Sequence, residues 1–430
     1  VLHSLKNPVR PRVAIAAMML ASIWTGVASC SPGAALTLGI SQHRFTVNGK
    51  PLFLLGISYY AGVGAPWAFV QQDLTDMQRY GINWIRVWAT WDAFGHDVSA
   101  VDREGRAREP FLNALDRLIA ECDKRGIVVD VTLSRGALLP TFAAHRRAVV
   151  TLASYLARHR NWYMDLANER DIRDDRYVSL DELKELAAAA RSANPKLLIT
   201  ASGGFDRTTL ETLLLSVRLD FVCPHLPRDP TAPQATEATT RTFQEWMREI
   251  GRVVPIHYQE PFRRGYTAWQ PTAADYWADL RAAIAGGAAS WCFHNGSQRS
   301  APGERPRRSF DLRERRLFDQ LDSEEMKAVA GFRAIVAPRT GAGLHALLGN
   351  QAIVRQRVPS FHQDTVWGRN GATVPYGCGF GGSAGPVGHD RGISRNSAAD
   401  VEIKRYQQIA RLAAATGRRA AWGVRTGNPG

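Results

Sequence analysis

The chain has almost no lysine. Of its 54 basic residues 7 are lysine and 47 are arginine, set against 40 acidic residues, for a formal net charge of +14. The surplus is not gathered into a basic helix or an aromatic-spaced basic motif. It is interleaved with acids, as in Arg313-Glu314-Arg315-Arg316, which marks solvated faces and argues against a nucleic-acid partner. Cysteine is scarce as well, with 5 in 430 residues. No Cys-x-x-Cys and no paired histidine spacing occurs, which excludes a zinc module; no catalytic metal is predicted. Cys122 falls on a predicted helix, and Cys223 and Cys292 on apolar strands, where a free thiol acts as a small hydrophobe. A dinucleotide fingerprint is also missing. The run Gly377-Cys378-Gly379-Phe380-Gly381-Gly382 follows no convincing strand and opens no helix, so no cofactor is predicted.

The apolar run at 13–28 has 16 residues, short of the ~20 that a membrane-spanning helix needs. Lys6, Arg10 and Arg12 precede it and Val27-Ala28-Ser29-Cys30 closes it. A basic stretch, an apolar stretch and small residues before a break describe an export signal over 1–30. The closing tetrapeptide resembles a bacterial lipobox, which implies a lipid anchor at Cys30 and a periplasmic or cell-surface lipoprotein. Cleavage nearby, for example after Ala35, gives a freely secreted protein instead. Residues 31–42 read as a polar linker.

From there the pattern alternates. Asn48-Gly49 between apolar runs marks a hairpin. Apolar strands are predicted at 52–58, 82–88, 127–133, 162–168, 197–201, 219–224, 254–259 and 288–293. Helical periodicity covers 68–80, 111–125, 145–159, 180–193, 207–217, 236–250, 273–286 and 312–336. Gly81 and Gly126 sit where helices end, and Ser179 with Glu182 makes a capping box. Strands such as Ile127-Val128-Val129-Asp130-Val131 are nearly continuously apolar, as parallel strands covered on both faces must be. Eight strands alternating with eight helices predict a (β/α)8 barrel over 43–337, with a doubly wound open sheet as the alternative. Residues 338–430 lose the repeat and read as an irregular tail or a small appendage.

In such a barrel the residues closing each strand form the site. Asn168-Glu169 closes the fourth strand and Gln259-Glu260-Pro261 the seventh, and the glutamates lie 91 positions apart. A carboxylate at the end of a buried strand is costly unless it has a function. Strands three steps apart in an eight-membered ring stand nearly opposite, so both glutamates can approach one substrate. Two such carboxyls are the minimal machinery for cleaving a glycosidic bond. Taken alone, either glutamate is equally well a salt-bridged strand end.

The set resembles clan A glycoside hydrolases, above all the cellulase- and mannanase-like family five. The matching residues are Asn168-Glu169, Glu260, the approach Phe45-Thr46-Val47-Asn48-Gly49-Lys50-Pro51, the run Leu54-Leu55-Gly56-Ile57-Ser58-Tyr59-Tyr60, Gly81-Ile82-Asn83-Trp84-Ile85-Arg86-Val87-Trp88 and Trp291. The resemblance implies an exported retaining β-glycoside hydrolase acting on a β-linked oligo- or polysaccharide. Glu169 would be the acid/base and Glu260 the nucleophile, which needs one carboxyl with a raised pKa and one kept ionised. Arg86 would hold Glu260 charged, Asn168 would bind the sugar 2-hydroxyl, and Trp291 would be a stacking platform. His225 looks like the strand-six histidine of the clan, with Pro227 where an aromatic often follows. Ser134-Arg135 stands at strand three where many relatives carry histidine. Trp88, Trp91, Tyr59 and Tyr60 also fall at predicted strand ends, where core packing is the commoner role. The alternative function is a catalytically inactive surface carbohydrate-binding lipoprotein on the same barrel.

Overall fold

The structure is a computed structural model that describes residues 35–295 and 310–337. The predicted export signal over 1–30 with Cys30, and the predicted tail over 338–430, lie outside the described residues.

Three short strands, β1 (Leu38–Ser41), β2 (Arg44–Val47) and β3 (Lys50–Pro51), form an antiparallel sheet in that order. Asn48 and Gly49 have φ of +52° and +77°, the left-handed pair that a two-residue hairpin turn requires. The polar-linker reading of 31–42 needs correction here. Leu38–Ser41 pairs with Arg44–Val47, and Leu36 and Leu38 are buried, because their apolar side chains help to cover the end of the barrel.

The barrel follows as β4 (Leu54–Ser58), α1 (Trp67–Tyr80), β5 (Trp84–Trp88), a small hairpin β6 (Asp92–Ala93) and β7 (His96–Asp97), α2 (Phe111–Lys124), β8 (Val128–Thr132), α3 (Phe142–Tyr155) and β9 (Trp162–Asp165). It continues with α4 (Leu180–Ala193), β10 (Leu198–Thr200), β11 (Ser202–Gly203), α5 (Arg207–Thr212), β12 (Cys223–Pro224), α6 (Ala232–Ile250), β13 (His257–Tyr258), α7 (Ala273–Gly286), β14 (Ser290–Phe293) and α8 (Ser323–Val336). Seven strands lie side by side in the order β10-β9-β8-β5-β4-β14-β13, all parallel. The ring closes through β11, which extends β10 and pairs with β12, and through a parallel bridge from Val222 to Ile256. The result is the predicted (β/α)8 barrel.

Strand alternation separates two cores. Leu55, Ile57, Ile85, Val87, Val129, Val131 and Met164 pack outward against the helices. Leu54, Trp84, Val128, Tyr163, Phe221 and Cys292 point inward and fill the lower barrel, with Phe45 from β2 as its floor. Phe45 meets Phe221 and His257 edge-on at centroid distances of 5.0 and 5.4 Å. Gly56 is required beside Trp84, because a Cβ there would come within 2.0 Å of the indole. One layer higher the inward positions turn polar, with Arg86, Asp130 and Asp165 on adjacent strands.

Two predicted helices differ from those observed. The one predicted over 207–217 is α-helical only as Arg207–Thr212, then widens into a π-helical turn, Leu213–Val217. The one predicted over 312–336 begins only at Ser323. Asp322 caps it, accepting from the amides of Glu324 and Glu325 at 2.9 Å each while Glu325 returns a bond to the Asp322 amide. The preceding segment is pinned instead by Asp73, which accepts from the Leu317 amide at 3.0 Å. Among the described residues no helix is long and apolar enough to cross a membrane.

Removing the floor tests this packing. Phe45→Ala should lower the unfolding free energy by about 3–5 kcal/mol, read from denaturant midpoints. A loss under about 1 kcal/mol, the scale of an ordinary surface substitution, would contradict its place in the core.

Candidate active site

Arg86 stands at the centre of the barrel mouth, fully buried on β5. Its Nε donates to Thr132 Oγ1 at 3.0 Å and lies 3.2 Å from Asp130 Oδ2. Nη2 donates to Asp165 Oδ2 at 3.1 Å and Asn168 Oδ1 at 2.9 Å. Nη1 donates to Glu260 Oε1 in a short contact. The planar fork therefore uses three faces against three strands, a geometry that an ammonium does not offer.

Glu260 follows β13 and is 6% exposed. Its Oε1 also accepts from Tyr60 Oη at 3.0 Å, and its Oε2 accepts from Arg228 Nη2 at 2.8 Å. Burial pushes the Glu260 carboxyl up, but the charge of Arg86 first, with Arg228 beside it, outweighs this and holds the group well below the usual carboxylate range.

Glu169 follows β9 in a left-handed backbone conformation, φ +48°, which costs a non-glycine residue on the order of 1–3 kcal/mol. The conformation is held from both sides. The Asn168 amide donates to the Leu133 carbonyl at 2.9 Å, the Arg170 amide to the Ser202 carbonyl at 3.1 Å, and Ser202 Oγ accepts from the Glu169 amide at 3.2 Å. The side chain is thereby aimed across the mouth. Oε2 accepts from Arg176 Nη1 at 2.7 Å, and Oε1 accepts from Arg228 Nη2 at 3.2 Å and faces His225 Nδ1 at 3.3 Å. Burial and the charge of Glu260 push this carboxyl up. The His225 hydrogen bond and the charges of Arg228 and His225 prevail, and the net direction is down. The raised pKa that an acid/base residue needs is thus absent in this charge arrangement, because the hydrogen bond from His225 and the charge of Arg228 offset the effect of burial.

Five of the six predicted site residues, Arg86, Asn168, Glu169, His225 and Glu260, come together here. Asn168 gives its side-chain oxygen to Arg86 and, at 3.3 Å, to Ser202 Oγ, leaving the NH2 end as the donor for a ligand. Trp291 does not join them. The middle of β14 alternates, so Cys292 points inward, 3.8 Å from Ser58 Oγ, and Trp291 points outward. Its indole is fully buried, donates to Asp279 Oδ2 on α7 at 2.7 Å and packs against Phe332 on α8. The stacking-platform reading is corrected: Trp291 is helix-facing core. Tyr59 is likewise turned to α1, donating to Asp73 at 3.0 Å. Tyr60, Trp88 and Trp91 do sit at the mouth as one cluster, with centroids 5.2–5.4 Å apart.

Several contributors were not singled out from sequence. Asp130 and Asp165 carried the same signal as the glutamates, an acid inside an apolar strand. Arg228 lies three residues beyond the strand-six histidine, and Arg176 seven beyond Glu169, in loops whose course the sequence does not reveal. Glu169, His225 and Glu260 are all buried, and one ligand atom from each lies within 4.8 Å of the others. A metal could bridge that spacing only if Arg228, which bonds both carboxylates, were displaced.

No protein-family model matches the chain, and no curated protein matches it in sequence. Solved structures do. A glycoside hydrolase family 5 mannosidase from Rhizomucor miehei aligns at a TM-score of 0.54 and 14% identity, over 70% of this chain and 97% of that one. An endo-1,4-beta-mannanase from the same organism aligns at 0.50 and 14%, over 70% and 99%. Another structure, described as a glycoside hydrolase, aligns at 0.52 and 15%, over 70% and 74%. The chain has the barrel fold of these hydrolases. At such identity the likeness concerns the fold, and the chemistry has to come from the site.

The charge state gives a pH prediction. Glu169 and Glu260 titrate below their ordinary value of 4.5 when folded, so their ionised forms add stability above about pH 4.5 that is lost as pH falls through the folded values. The wild-type urea midpoint should drop as pH is lowered from about 5 to 3, and that of Glu169→Gln should drop less. Equal slopes would show that Glu169 is not held ionised by its neighbours.

Proposed function

We propose that the protein is a retaining β-glycoside hydrolase of β-linked oligo- or polysaccharides. The observation that carries this reading is the pair Glu169 and Glu260, which meet in one barrel mouth with one carboxylate oxygen of each within 4.8 Å of the other. That spacing supports double displacement, which needs the carboxyls about 5–5.5 Å apart, over inversion, which needs 6.5–9.5 Å. The names of the fold's solved neighbours, mannosidase and mannanase, support the same class.

In the first step a Glu260 oxygen bonds to the anomeric carbon while the bond from that carbon to the leaving oxygen breaks. A proton from Glu169 goes to the leaving oxygen. Arg86 and Tyr60 hold Glu260 in place and keep it anionic until it attacks. In the second step water attacks the same carbon, its proton goes to the Glu169 carboxylate, and Glu260 leaves as a carboxylate. The Asn168 NH2 group is placed to donate to the sugar 2-hydroxyl as the oxocarbenium-like charge develops. For the first step Glu169 must gain a proton, and the site must therefore lose cation contacts when substrate binds. Arg228, lodged between the glutamates, is also the observation that favours the second reading, a salt-locked barrel that binds glycans without cutting them. The leader-like residues 1–30, with Cys30, lead us to place this hydrolase outside the cytoplasm, lipid-anchored or secreted.

Glu260→Ala should abolish turnover of an activated aryl β-glycoside, and added azide should restore it with a glycosyl azide of inverted configuration as product. Near-normal activity in Glu260→Ala would remove the nucleophile assignment.

A further inference from the structure

Arg228 is the part of the site that double displacement does not use. Its Nη2 donates to Glu169 at 3.2 Å and to Glu260 at 2.8 Å, so it occupies the space between the carboxyls where the reacting bond has to lie. It comes from the loop after β12, and Arg263 comes from the loop after β13. Both guanidinium groups lie against the same ring, Tyr266, with their carbons 4.9 and 5.0 Å from its centroid. Arg263 is 3% exposed, and burial together with the charge of Arg228 pushes its pKa down to about 10. Two like charges are thus held against one ring at the mouth, and Arg176 adds a third cation, on Glu169.

We propose that the cleft takes a glycan whose reacting sugar carries a carboxylate, a β-linked hexuronic acid, and that Arg228, with Arg263 beside it, recognises that group. The inference rests on the hydrolase reading above and names its substrate class. A neutral sugar must lift Arg228 away from two buried carboxylates without offering an anionic replacement. A sugar carboxylate offers one, and in the bidentate form that guanidinium matches. The exchange also has a catalytic consequence. Once Arg228 turns to the substrate, Glu169 loses one of the cations that keep it ionised while His225 and Arg176 stay in contact with it, so its burial and the charge of Glu260 are opposed less and its pKa moves up, in the direction a general acid needs. Arg228 is then a specificity-determining residue, and the acidic sugar sets the working charge state of the site.

The test compares the full chain with Arg228→Gln and Arg263→Gln on 4-nitrophenyl β-glucuronide and β-galacturonide, the matching glucoside, galactoside and mannoside, and polyuronate and mannan polymers, with Glu260→Ala as the blank. We expect kcat/KM to be at least about tenfold higher on a uronide than on its neutral counterpart and to fall as salt is raised. Arg228→Gln should bring the ratio close to one. A uronide preference that persists in both arginine variants would overturn the assignment to these residues. A neutral preference in the wild type that grows in Arg228→Gln would make Arg228 an obstruction, overturning the inference and leaving the hydrolase reading in place. No turnover of any glycoside above the blank, by a chain that unfolds cooperatively, would overturn both.

Discussion

The site depends on one buried cation. Arg86 is fully buried, and it is tolerated because Asp130, Asp165 and Glu260 stand around it as acidic partners while Thr132 and Asn168 also accept from it. Removing one partner of such a buried set costs about 3–5 kcal/mol, since the others are left uncompensated. The arrangement reaches downward as well. Asp130 Oδ2 accepts from Tyr163 Oη at 3.0 Å and from Gln259 Nε2 at 2.7 Å, and Tyr163 Oη is in turn bonded to His257. The polar layer is thereby tied to the aromatic floor built on Phe45. Orientation of the Glu260 carboxylate is consequently a property of several strands, and it is fixed without any ligand.

The mouth above Arg86 contrasts with that order. Below, one arginine is shared among several acids; above, several arginines converge on two glutamates. Asp130 is pushed up to about 7, first by burial and then by the neighbouring Asp165, against the opposing pull of Arg86. Glu169 and Glu260 are pulled down. The acids inside the barrel are thus shifted up, chiefly by burial, and those at the rim down. The proposed double displacement needs the reverse at Glu169, so under that proposal it is a rim arginine rather than the buried one that has to change partners. Arg176 bonds Asp174 as well as Glu169, whereas Arg228 bridges Glu169 and Glu260 and so lies where the proposed substrate has to enter.

Much of this was legible in the sequence, for physical reasons. Buried parallel strands must be continuously apolar, so Val128–Thr132 and Trp84–Trp88 announced themselves, and the carboxylates interrupting or closing such runs stood out by their desolvation cost. Glu169 and Glu260 followed from counting strand ends, and Arg86, Asn168 and His225 from the resemblance to clan A glycoside hydrolases. Trp291 was misjudged because position along a strand does not fix which face a side chain takes; the inward turn of its neighbour Cys292 decides it. The start of α8 was misjudged because apolar periodicity at 312–322 is also satisfied by a 3₁₀ turn, Leu317–Asp319, pinned to Asp73. Arg228 was not legible at all. Its role depends on the course of a loop, and no local pattern specifies where a loop residue's long side chain ends.

The central claim is that Glu260 is a nucleophile poised by Arg86, and covalent trapping tests it most directly. The full chain would be incubated with an activated 2-deoxy-2-fluoro β-glycoside of the sugar it turns over, then digested and mapped by mass spectrometry. The account predicts one added glycosyl unit on the peptide containing Gln259-Glu260-Pro261, formed as activity is lost. Inactivation without an adduct there, or an adduct on Glu169 instead, would contradict it.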